Sequence, residues 1–313
     1  MSHVLAAQNL QVRYRTREGY VYALSGVDVY LNAGETLGLV GESGCGKSTL
    51  GKALMRLIPT EGSISLDDVD ISLASGKALL SFRRHVQMVF QDPLGSLNPR
   101  QSVGTSIARP LQAAGWKKPQ IRERVEALLD QVGLSPDAAR RYPHEFSGGQ
   151  RQRIGIARAL ALQPKVVICD EPVSALDVSV RAQVINLMKD IQQRTQIAYL
   201  FISHDLSVVE YIAQRVMVMY LGRIVESGPT AELWGQPAHP YTQALLAAAP
   251  VADPRHLQSE VLLQGELPSP LSPPTGCAFH TRCPHAQPLC MQETPQLSFI
   301  SSERQVACHF HLG

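Results

Sequence analysis

The chain has 313 residues, of which 44% are apolar and 18% are charged, and its 29 basic residues nearly balance its 27 acidic residues. This composition predicts a folded globular protein and excludes a disordered one, because disordered chains combine few apolar residues with a high net charge. The net charge of +2 gives no support to nucleic-acid binding through bulk positive charge.

Two sequence features bear on location. No apolar run reaches the length of about 18 residues that a transmembrane helix needs. The segment Met1–Arg15 has no apolar run of signal-peptide length and carries arginines where that run would lie. We therefore expect the protein to stay in the cytoplasm, where it can still bind a membrane partner.

Short apolar runs alternate with helical patterns as far as residue 250. Strand patterns occupy residues 4–14, 21–31, 36–40, 86–90, 166–169 and 198–202. Helical spacing of apolar residues occupies residues 47–57, 121–132, 147–162 and 180–193. Because helices separate the strands, the sequence predicts a mainly parallel α/β sheet.

The composition changes after residue 250, so we divide the chain into a domain at 1–250 and an extension at 251–313. The extension holds eight of the 21 prolines and five of the ten histidines. We expect an irregular appendage that does not continue the α/β layer. It is too small to build its own core without a cross-link or a metal.

Residues 41–48, Gly-Glu-Ser-Gly-Cys-Gly-Lys-Ser, match the phosphate-loop pattern G-x-x-x-x-G-K-S/T between a predicted strand and a predicted helix. The glycines allow backbone N–H groups to surround phosphate oxygens, and the helix start adds a favourable dipole. We expect Lys47 to bind the β- and γ-phosphates and the Ser48 hydroxyl to bind Mg²⁺. Cys45 stands at a variable position of the pattern, and we expect its side chain to face nothing special.

The buried strand at 166–169 ends in two adjacent carboxylates, Asp170 and Glu171. Two such groups are costly to bury unless a positive charge lies nearby. A Mg²⁺ ion at Ser48 would supply that charge. We therefore expect Asp170 to bind Mg²⁺ and Glu171 to act as general base for the attacking water.

The stretch Phe146-Ser147-Gly148-Gly149-Gln150 opens the helix predicted at 147–162. A serine at the N-cap followed by two glycines exposes backbone N–H groups and forms a second candidate anion site. The stretch resembles the signature sequence of ATP-binding-cassette (ABC) ATPases, with Phe146 in the place of the usual leucine. The resemblance implies contact with the γ-phosphate of a nucleotide held by another subunit.

Further elements resemble the same family in the expected order. Gln91 resembles the Q-loop glutamine, which senses Mg²⁺ and water, and His204 resembles the switch histidine near the γ-phosphate. Tyr14 resembles the aromatic residue that stacks on adenine, with Tyr20 and Tyr22 as alternatives. The D-loop is implied at residues 174–177. The residues implied to contact ATP are Tyr14, Gly41, Glu42, Ser43, Gly44, Cys45, Gly46, Lys47, Ser48, Thr49, Ser147, Gly148, Gly149, Gln150 and Asp177.

Longer stretches resemble the ATP-binding subunits of dipeptide and oligopeptide permeases, of the DppF/OppF type. They are residues 91–100, 142–153, 174–181, 239–246 and 265–270. The resemblance implies a P-loop ABC ATPase core with an antiparallel edge sheet, and a helical subdomain at about 93–165 that carries the signature. The same group includes importers of nickel chelates, glutathione and antimicrobial peptides, so the transported substrate stays open.

Four of the six cysteines lie in the extension, at Cys277, Cys283, Cys290 and Cys308. Disulfides are rare in the cytoplasm, so these residues are interpreted first as metal ligands. Their spacing lacks a Cys-x₂-Cys pair and suits Zn²⁺ and an iron–sulfur cluster equally. Similar tails in the family carry a 4Fe-4S cluster, which the resemblance therefore implies here. Since the cysteines lie far in sequence from Lys47 and Glu171, we expect hydrolysis not to need them directly.

The resemblance implies an ATP-hydrolysing subunit of a bacterial importer, bound to the cytoplasmic face of the plasma membrane. The implied partners are a second and different ATPase subunit, two membrane permease subunits and an extracellular or periplasmic binding protein. A homodimer is the alternative to the heterodimer. A soluble ABC ATPase acting on DNA or ribosomes is the alternative class. Such proteins usually carry two cassettes or long coiled-coil insertions, and neither occurs in this sequence.

Overall fold

The structure, a computed structural model, describes residues 3–248 and 266–312, with the backbone alone at residues 93 and 94. Its strands are β1 (Leu5–Arg15), β2 (Tyr20–Leu31), β3 (Thr36–Val40), β4 (Glu61–Leu66), β5 (Val69–Asp70), β6 (Val86–Val89), β7 (Val166–Asp170), β8 (Ala198–Ile202), β9 (Arg215–Tyr220), β10 (Arg223–Pro229), β11 (Ser298–Phe299) and β12 (Gln305–Val306). Its α-helices are α1 (Lys47–Leu54), α2 (Gly76–His85), α3 (Pro93–Ser96), α4 (Val103–Ala113), α5 (Lys118–Gln131), α6 (Gly148–Ala159), α7 (Val178–Thr195), α8 (Leu206–Ile212), α9 (Thr230–Gly235), α10 (Pro240–Ala247) and α11 (Pro288–Gln292). Within the described ranges, no helix is long and apolar enough to cross a membrane.

The strands and helices predicted from apolar patterns are all present, with shifted ends. Helix α1 stops at Leu54 instead of residue 57, because Arg56 adopts a left-handed conformation with φ of 51°. Several other elements were not predicted. Strand β10 carries Glu226 and Ser227 at buried positions, and helix α4 contains Pro110.

The chain forms two compact units. The first contains Met1–Leu5, Leu31–Glu35 and Leu66–Leu200, and the second contains Ala6–Tyr30, Thr36–Ser65 and Phe201–Gly313. The helices of the predicted signature subdomain, α3 to α6, all belong to the first unit. The boundary predicted near residue 250 lies outside the described residues.

The first unit contains the parallel pair β6 and β7, with Val89 opposite Cys169, and β8 lies next to β7. Every residue of β7 and β8 is buried, which explains their continuous apolar sequences. Because parallel strands end at the same edge of a sheet, Gln91 after β6 and Asp170 at the end of β7 come to the same edge.

The second unit contains two sets of strands, ordered β2-β1-β4 and β11-β12-β10-β9-β3. Strand β3 runs parallel to β9, with Val40 opposite Val218, and β9 pairs antiparallel with β10. All five residues of β3 are buried. This strand therefore fixes the start of the glycine-rich loop that connects it to α1.

The expectation that the extension does not continue the α/β layer is wrong. Strand β12 pairs antiparallel with β10, with Val306 opposite Glu226, and β11 pairs with β12. Two-residue strands are too short to give an alternating pattern, so the sequence did not reveal them. Val306 is fully buried, and the pairing satisfies backbone groups that the edge of β10 would otherwise expose.

Candidate functional site

The glycine-rich loop between β3 and α1 has the backbone that its sequence requires. Gly41, Gly44 and Gly46 have φ values of 152°, 82° and 114°, which residues with a Cβ rarely adopt. A Cβ at Gly46 would lie 2.5 Å from the carbonyl oxygen of Ala23, whereas a Cβ at Gly44 would meet no atom within 4 Å. The loop is therefore packed at Gly46 and open at Gly44, next to a helix start that favours anions.

Lys47, the first residue of α1, folds back over this loop and is only 5% exposed. Its Nζ donates hydrogen bonds to the carbonyl oxygens of Gly41, at 2.7 Å, and Glu42, at 2.9 Å. Nζ also lies 3.8 Å from the Sγ of Cys45, so the expectation that Cys45 faces nothing special is wrong. Burial raises the pKa of the Cys45 thiol, and the charge of Lys47 opposes that shift.

The two adjacent carboxylates lie at the carboxyl end of β7. Asp170 is buried, and Glu171 follows it with a left-handed backbone, at φ of 47°. The Nε2 of Gln91 donates a hydrogen bond to the Oε2 of Glu171 at 2.8 Å, and the hydroxyl of Ser174 donates to the Glu171 carbonyl oxygen at 3.1 Å. The structure thus brings Gln91 and Glu171 together and fixes both the side chain and the backbone of Glu171.

The signature stretch caps helix α6. The Oγ of Ser147 accepts a hydrogen bond from the N–H of Gln150 at 3.3 Å, and the Gln150 Oε1 accepts one from the N–H of Ser147 at 3.0 Å. A Cβ on Gly149 would collide with a valine of α7. Phe146 is buried with the Arg141 guanidinium 4.3 Å from its ring centroid, a contact that leucine could not make.

Two other residues implied to act on the nucleotide lie next to helices. Asp177 caps α7, where its Oδ1 accepts hydrogen bonds at 2.9 Å from the N–H of Val180 and from the hydroxyl of Ser179. These bonds lower the pKa of the Asp177 carboxyl. His204 is exposed between β8 and α8. The implied contacts of both residues with ATP stay predictions.

The three candidate adenine-stacking tyrosines lie on β1 and β2. Tyr14, Tyr20 and Tyr22 all expose more than a third of their surface. The guanidinium of Arg13 lies 5.5 Å from the centroid of the Tyr20 ring, so one ring already has a cation–π partner. The choice among the three stays open.

The four cysteines of the extension line one pocket in the second unit. Its lining residues are His239, Pro240, Cys277, Phe279, His280, Cys283, His285, Cys290, Cys308, His309 and Phe310. The N–H of Cys277 donates to the carbonyl oxygen of Cys290 at 2.8 Å. Burial, with a smaller contribution from the neighbouring cysteines, raises the pKa of Cys277 to about 11. Within the described residues, no group of three or more His, Cys, Asp or Glu side chains is arranged to hold a metal ion.

The extension also contacts the phosphate loop, which the sequence did not indicate. The Arg282 guanidinium donates two hydrogen bonds to the Glu42 carboxylate, at 2.8 and 3.0 Å. The Tyr241 hydroxyl accepts a hydrogen bond from the Glu42 N–H at 2.9 Å. A buried ion pair, Arg304 with Glu226 at 2.9 Å, also joins the extension to β10. Sequence reasoning missed Arg282 because 240 residues separate it from Glu42, and no local pattern spans that distance.

Two family models match this chain. The first, described as "ABC transporter", matches residues 24–174, and the second, described as "Oligopeptide/dipeptide transporter, C-terminal region", matches residues 225–290. The chain is also 51% identical over 317 residues to the di/tripeptide transport ATP-binding protein DppF of Pseudomonas aeruginosa (strain UCBPP-PA14), covering 99% of this chain and 98% of that protein. The chain belongs to the ABC transporter ATP-binding proteins of the oligopeptide branch.

Other known ABC proteins agree with this family. The oligopeptide transport ATP-binding protein AppF of Bacillus subtilis (strain 168) is 53% identical over 303 residues, which cover 95% of this chain and 92% of that protein. The structure of cbiO1 from Clostridium perfringens, part of the ABC transporter complex cbiONQ, has a TM-score of 0.67 at 28% identity and covers 75% of this chain and 92% of its own. A dimeric ATP-binding cassette in a post-hydrolysis state, bound to ADP and phosphate, has a TM-score of 0.65 at 26% identity, with coverage of 72% and 98%. These similarities confirm the predicted ABC ATPase fold.

Membership of the ABC ATP-binding family also confirms the predicted reaction. The chain binds ATP, with Mg²⁺ as the expected metal ion, and hydrolyses it. The loop geometry fits this substrate, because its open backbone and buried lysine are the groups that phosphate binding requires.

Proposed function

We propose that this ABC ATPase powers the import of di- and oligopeptides by a bacterial transporter, at the cytoplasmic face of the plasma membrane. The observation that carries the proposal is the 51% identity, along 99% of the chain, to a protein named for di- and tripeptide transport. The match of residues 225–290 to a C-terminal region described for oligopeptide and dipeptide transporters supports the same substrate class. Nickel chelates, glutathione and antimicrobial peptides are the alternative cargoes.

In this proposal the phosphate loop and α1 bind the triphosphate. The backbone N–H groups of the loop and of the helix start donate to phosphate oxygens. Lys47 exchanges its bonds to the carbonyl oxygens of Gly41 and Glu42 for bonds to the β- and γ-phosphates. The Ser48 hydroxyl, the Asp170 carboxylate and the side-chain amide of Gln91 are the proposed Mg²⁺ ligands. A Mg²⁺ ion held there would neutralise charge on the phosphates.

Glu171 is the proposed general base, and its carboxylate orients the attacking water and takes its proton. The hydrogen bond from Gln91 supports this role, because it fixes the carboxylate in one orientation. His204 is the proposed contact to the γ-phosphate oxygens. Tyr14 is the proposed adenine-stacking residue, with Tyr20 and Tyr22 as alternatives.

The proposed partners are a second ATPase subunit, two membrane permease subunits and a substrate-binding protein outside the membrane. We favour a different ATPase as the second subunit over a copy of this chain. Each nucleotide then contacts the phosphate loop of one ATPase and the signature and D-loop of the other. In this chain the signature residues are Ser147 to Gln150, and the D-loop residue is Asp177. That a similar cassette forms a dimer with bound ADP and phosphate supports paired ATPases.

The test of this function is ATP hydrolysis by the complete transporter in lipid vesicles. Binding protein loaded with a di- or tripeptide should stimulate hydrolysis and labelled peptide should accumulate in the compartment opposite the binding protein, with Lys47→Ala as the inactive control. Stimulation by a nickel chelate or glutathione but not by peptides would contradict the substrate class. Failure to copurify with any membrane subunit would contradict the transport role.

We further propose that Cys277, Cys283, Cys290 and Cys308 bind one 4Fe-4S cluster with a structural role, with Zn²⁺ as the alternative. All four thiols line the same pocket. Thiolates and not thiols are the metal ligands, so binding of the cluster would release the protons of these thiols. Because this segment has many prolines and few large apolar residues, such a cross-link would stabilise it in addition to the pairing of β12 with β10.

The cluster is tested by purifying the protein without oxygen. The protein should be brown, with broad absorption at about 400 nm and about four iron atoms per chain. Cys290→Ser should remove the colour, whereas Cys45→Ser, outside the extension, should keep it. Colourless protein with one zinc ion per chain would contradict the 4Fe-4S cluster and support the alternative of a zinc site. Protein with neither metal and four titratable thiols would contradict both.

A further inference from the structure

Glu42 of the phosphate loop is held from both ends by residues far along the chain. Its carboxylate accepts the two hydrogen bonds from Arg282, at 2.8 and 3.0 Å, and its N–H donates to the Tyr241 hydroxyl at 2.9 Å. The Arg282 side chain is 6% exposed and that of Glu42 is 23% exposed, so water screens this pair only weakly. A bidentate pair also fixes direction, because the planar guanidinium matches the carboxylate at two points.

The same residue holds the lysine of the loop. The Glu42 carbonyl oxygen accepts a hydrogen bond from Lys47 Nζ at 2.9 Å. A displacement of the Glu42 peptide therefore moves one of the two carbonyl groups that position Lys47. The contacts made by Arg282 and Tyr241 thus bear on the residue proposed to bind the β- and γ-phosphates.

Arg282 is itself held in a rigid setting. It lies in a short turn between Cys277 and Cys283, and its N–H donates to the carbonyl oxygen of Phe279 at 3.0 Å. The Phe279 ring is buried against Tyr220 and Tyr241, with centroids 5.3 Å away in both cases. The guanidinium of Arg282 also lies 5.9 Å from the centroid of the Tyr220 ring. The extension therefore presents Arg282 to the loop from a packed aromatic base.

We propose that Arg282 is a positioning residue for the phosphate loop, and that the cysteine-bearing extension is therefore a structural part of the ATP site. The inference rests on the proposed binding of the phosphates by residues 41–48. Arg282 acts through Glu42 and Lys47 and makes no contact with the reacting atoms. It preorganises the phosphate loop for ATP binding. Loss of Arg282 therefore lowers the affinity for the nucleotide more than it lowers the rate of the chemical step.

The test is titration of the full-length protein with a fluorescent N-methylanthraniloyl ATP, followed by steady-state hydrolysis in the assembled transporter. Arg282→Gln and Glu42→Gln should each raise the Kd about tenfold, and the double variant should bind no more weakly than either single one. Arg282→Lys, which keeps the charge and loses the second hydrogen bond, should recover part of the affinity. In Arg282→Gln and Glu42→Gln, the KM for ATP should rise and kcat should stay within about twofold of the wild-type value. Partial unfolding would instead lower the fraction of active protein, and would therefore lower kcat and leave KM unchanged.

Arg304→Met is the matched control, because it breaks the ion pair of the extension with Glu226 and leaves the pair of Arg282 with Glu42 intact. It should lower thermal stability and leave the Kd for the nucleotide unchanged. A wild-type Kd in Arg282→Gln, or an equal loss in Arg304→Met, would overturn the proposal. If Arg282→Gln does not fold, the Kd is measured for Glu42→Gln, for Arg282→Lys and for the variant that combines them. Additive losses of binding free energy in the combined variant would overturn the proposal equally. Lys47→Ala distinguishes failure of the positioning role of Arg282 from failure of the proposed phosphate site. Unchanged nucleotide binding by Lys47→Ala would refute the phosphate site itself.

Discussion

At the scale of single residues, Glu171 combines a strained backbone with a fixed side chain. A left-handed φ of 47° costs a non-glycine residue on the order of 1 kcal/mol. The hydrogen bonds from Gln91 to its carboxylate and from Ser174 to its carbonyl oxygen hold this conformation in place. Strain that neighbouring contacts maintain is typical of residues whose orientation matters for a reaction, which agrees with the proposed role of general base.

Glu171→Gln should keep ATP binding and lower turnover by about 10²- to 10⁴-fold, because the amide cannot accept the proton of the attacking water. The measurement is single-turnover hydrolysis in the assembled transporter, beside nucleotide titration. Glu126→Gln, at an exposed ion pair on α5, is the control and should behave as wild type. Hydrolysis by Glu171→Gln at near the wild-type rate would refute the assignment.

Lys47→Ala should weaken ATP binding itself, because the buried ammonium is the proposed partner of the β- and γ-phosphates. Titration of the full-length protein measures the Kd. Lys52→Ala is the matched control, since Lys52 lies on the same helix and is exposed. Equal losses in both variants would show that helix stability, and not phosphate contact, sets the affinity.

At the scale of elements, helix α6 shows which of its glycines is required. Gly149 lies in the first turn, where a Cβ would collide with the Cγ1 of Val180 on α7. Gly155 lies six residues further along the same helix, where a Cβ would meet no atom within 4 Å outside the backbone of its own helix. The close approach of α7 therefore requires glycine at position 149, whereas position 155 has room for a methyl group.

Gly149→Ala should lower the free energy of unfolding by about 1–3 kcal/mol, since the added methyl group overpacks the contact with α7. Gly155→Ala should raise it by about 0.5–1 kcal/mol, because alanine is the better helix former. Urea unfolding of the two variants measures both changes. A Gly149→Ala protein as stable as Gly155→Ala would show that α7 does not pack against the signature as described.

At the scale of the whole molecule, the residues proposed to act on the nucleotide belong to two compact units. The phosphate loop, His204 and the cysteines of the extension belong to the second unit, and the signature, Gln91 and Glu171 belong to the first. Each unit supplies only part of the residue set that hydrolysis is proposed to use. The separation of the signature from the phosphate loop of the same chain motivates the proposal that Ser147 acts on a nucleotide held by a partner subunit.

The isolated chain should therefore be a poor ATPase, and Ser147 should act on a nucleotide bound by the partner subunit. If copies of this chain pair, a mixture of Ser147→Arg and Lys47→Ala chains should regain activity that neither variant has alone. One composite site in that mixture joins an intact phosphate loop to an intact signature. A mixture without recovered activity, from chains shown to form homodimers, would refute the shared site.

The sequence alone determined the local chemistry of this protein. The glycine pattern before Lys47, the carboxylates after a buried strand and the serine-capped signature helix follow from a few neighbouring residues each. Their backbone conformations depend on local properties, such as positive φ at glycine and hydrogen bonds from an N-cap. For that reason the predicted strands and helices were found close to their expected ends.

The tertiary structure alone decided which distant residues meet. The ion pair of Arg282 with Glu42 and the pairing of β12 with β10 leave no periodic signal in the sequence. Long-range ion pairs and edge strands depend on which distant segments the folded chain brings together. A two-residue strand or a single arginine is compatible with many different courses of the chain. The packing of Phe279 against Tyr220 and Tyr241, together with the pairing of β12 with β10, fixes the path that brings the cysteine-bearing extension to the phosphate loop.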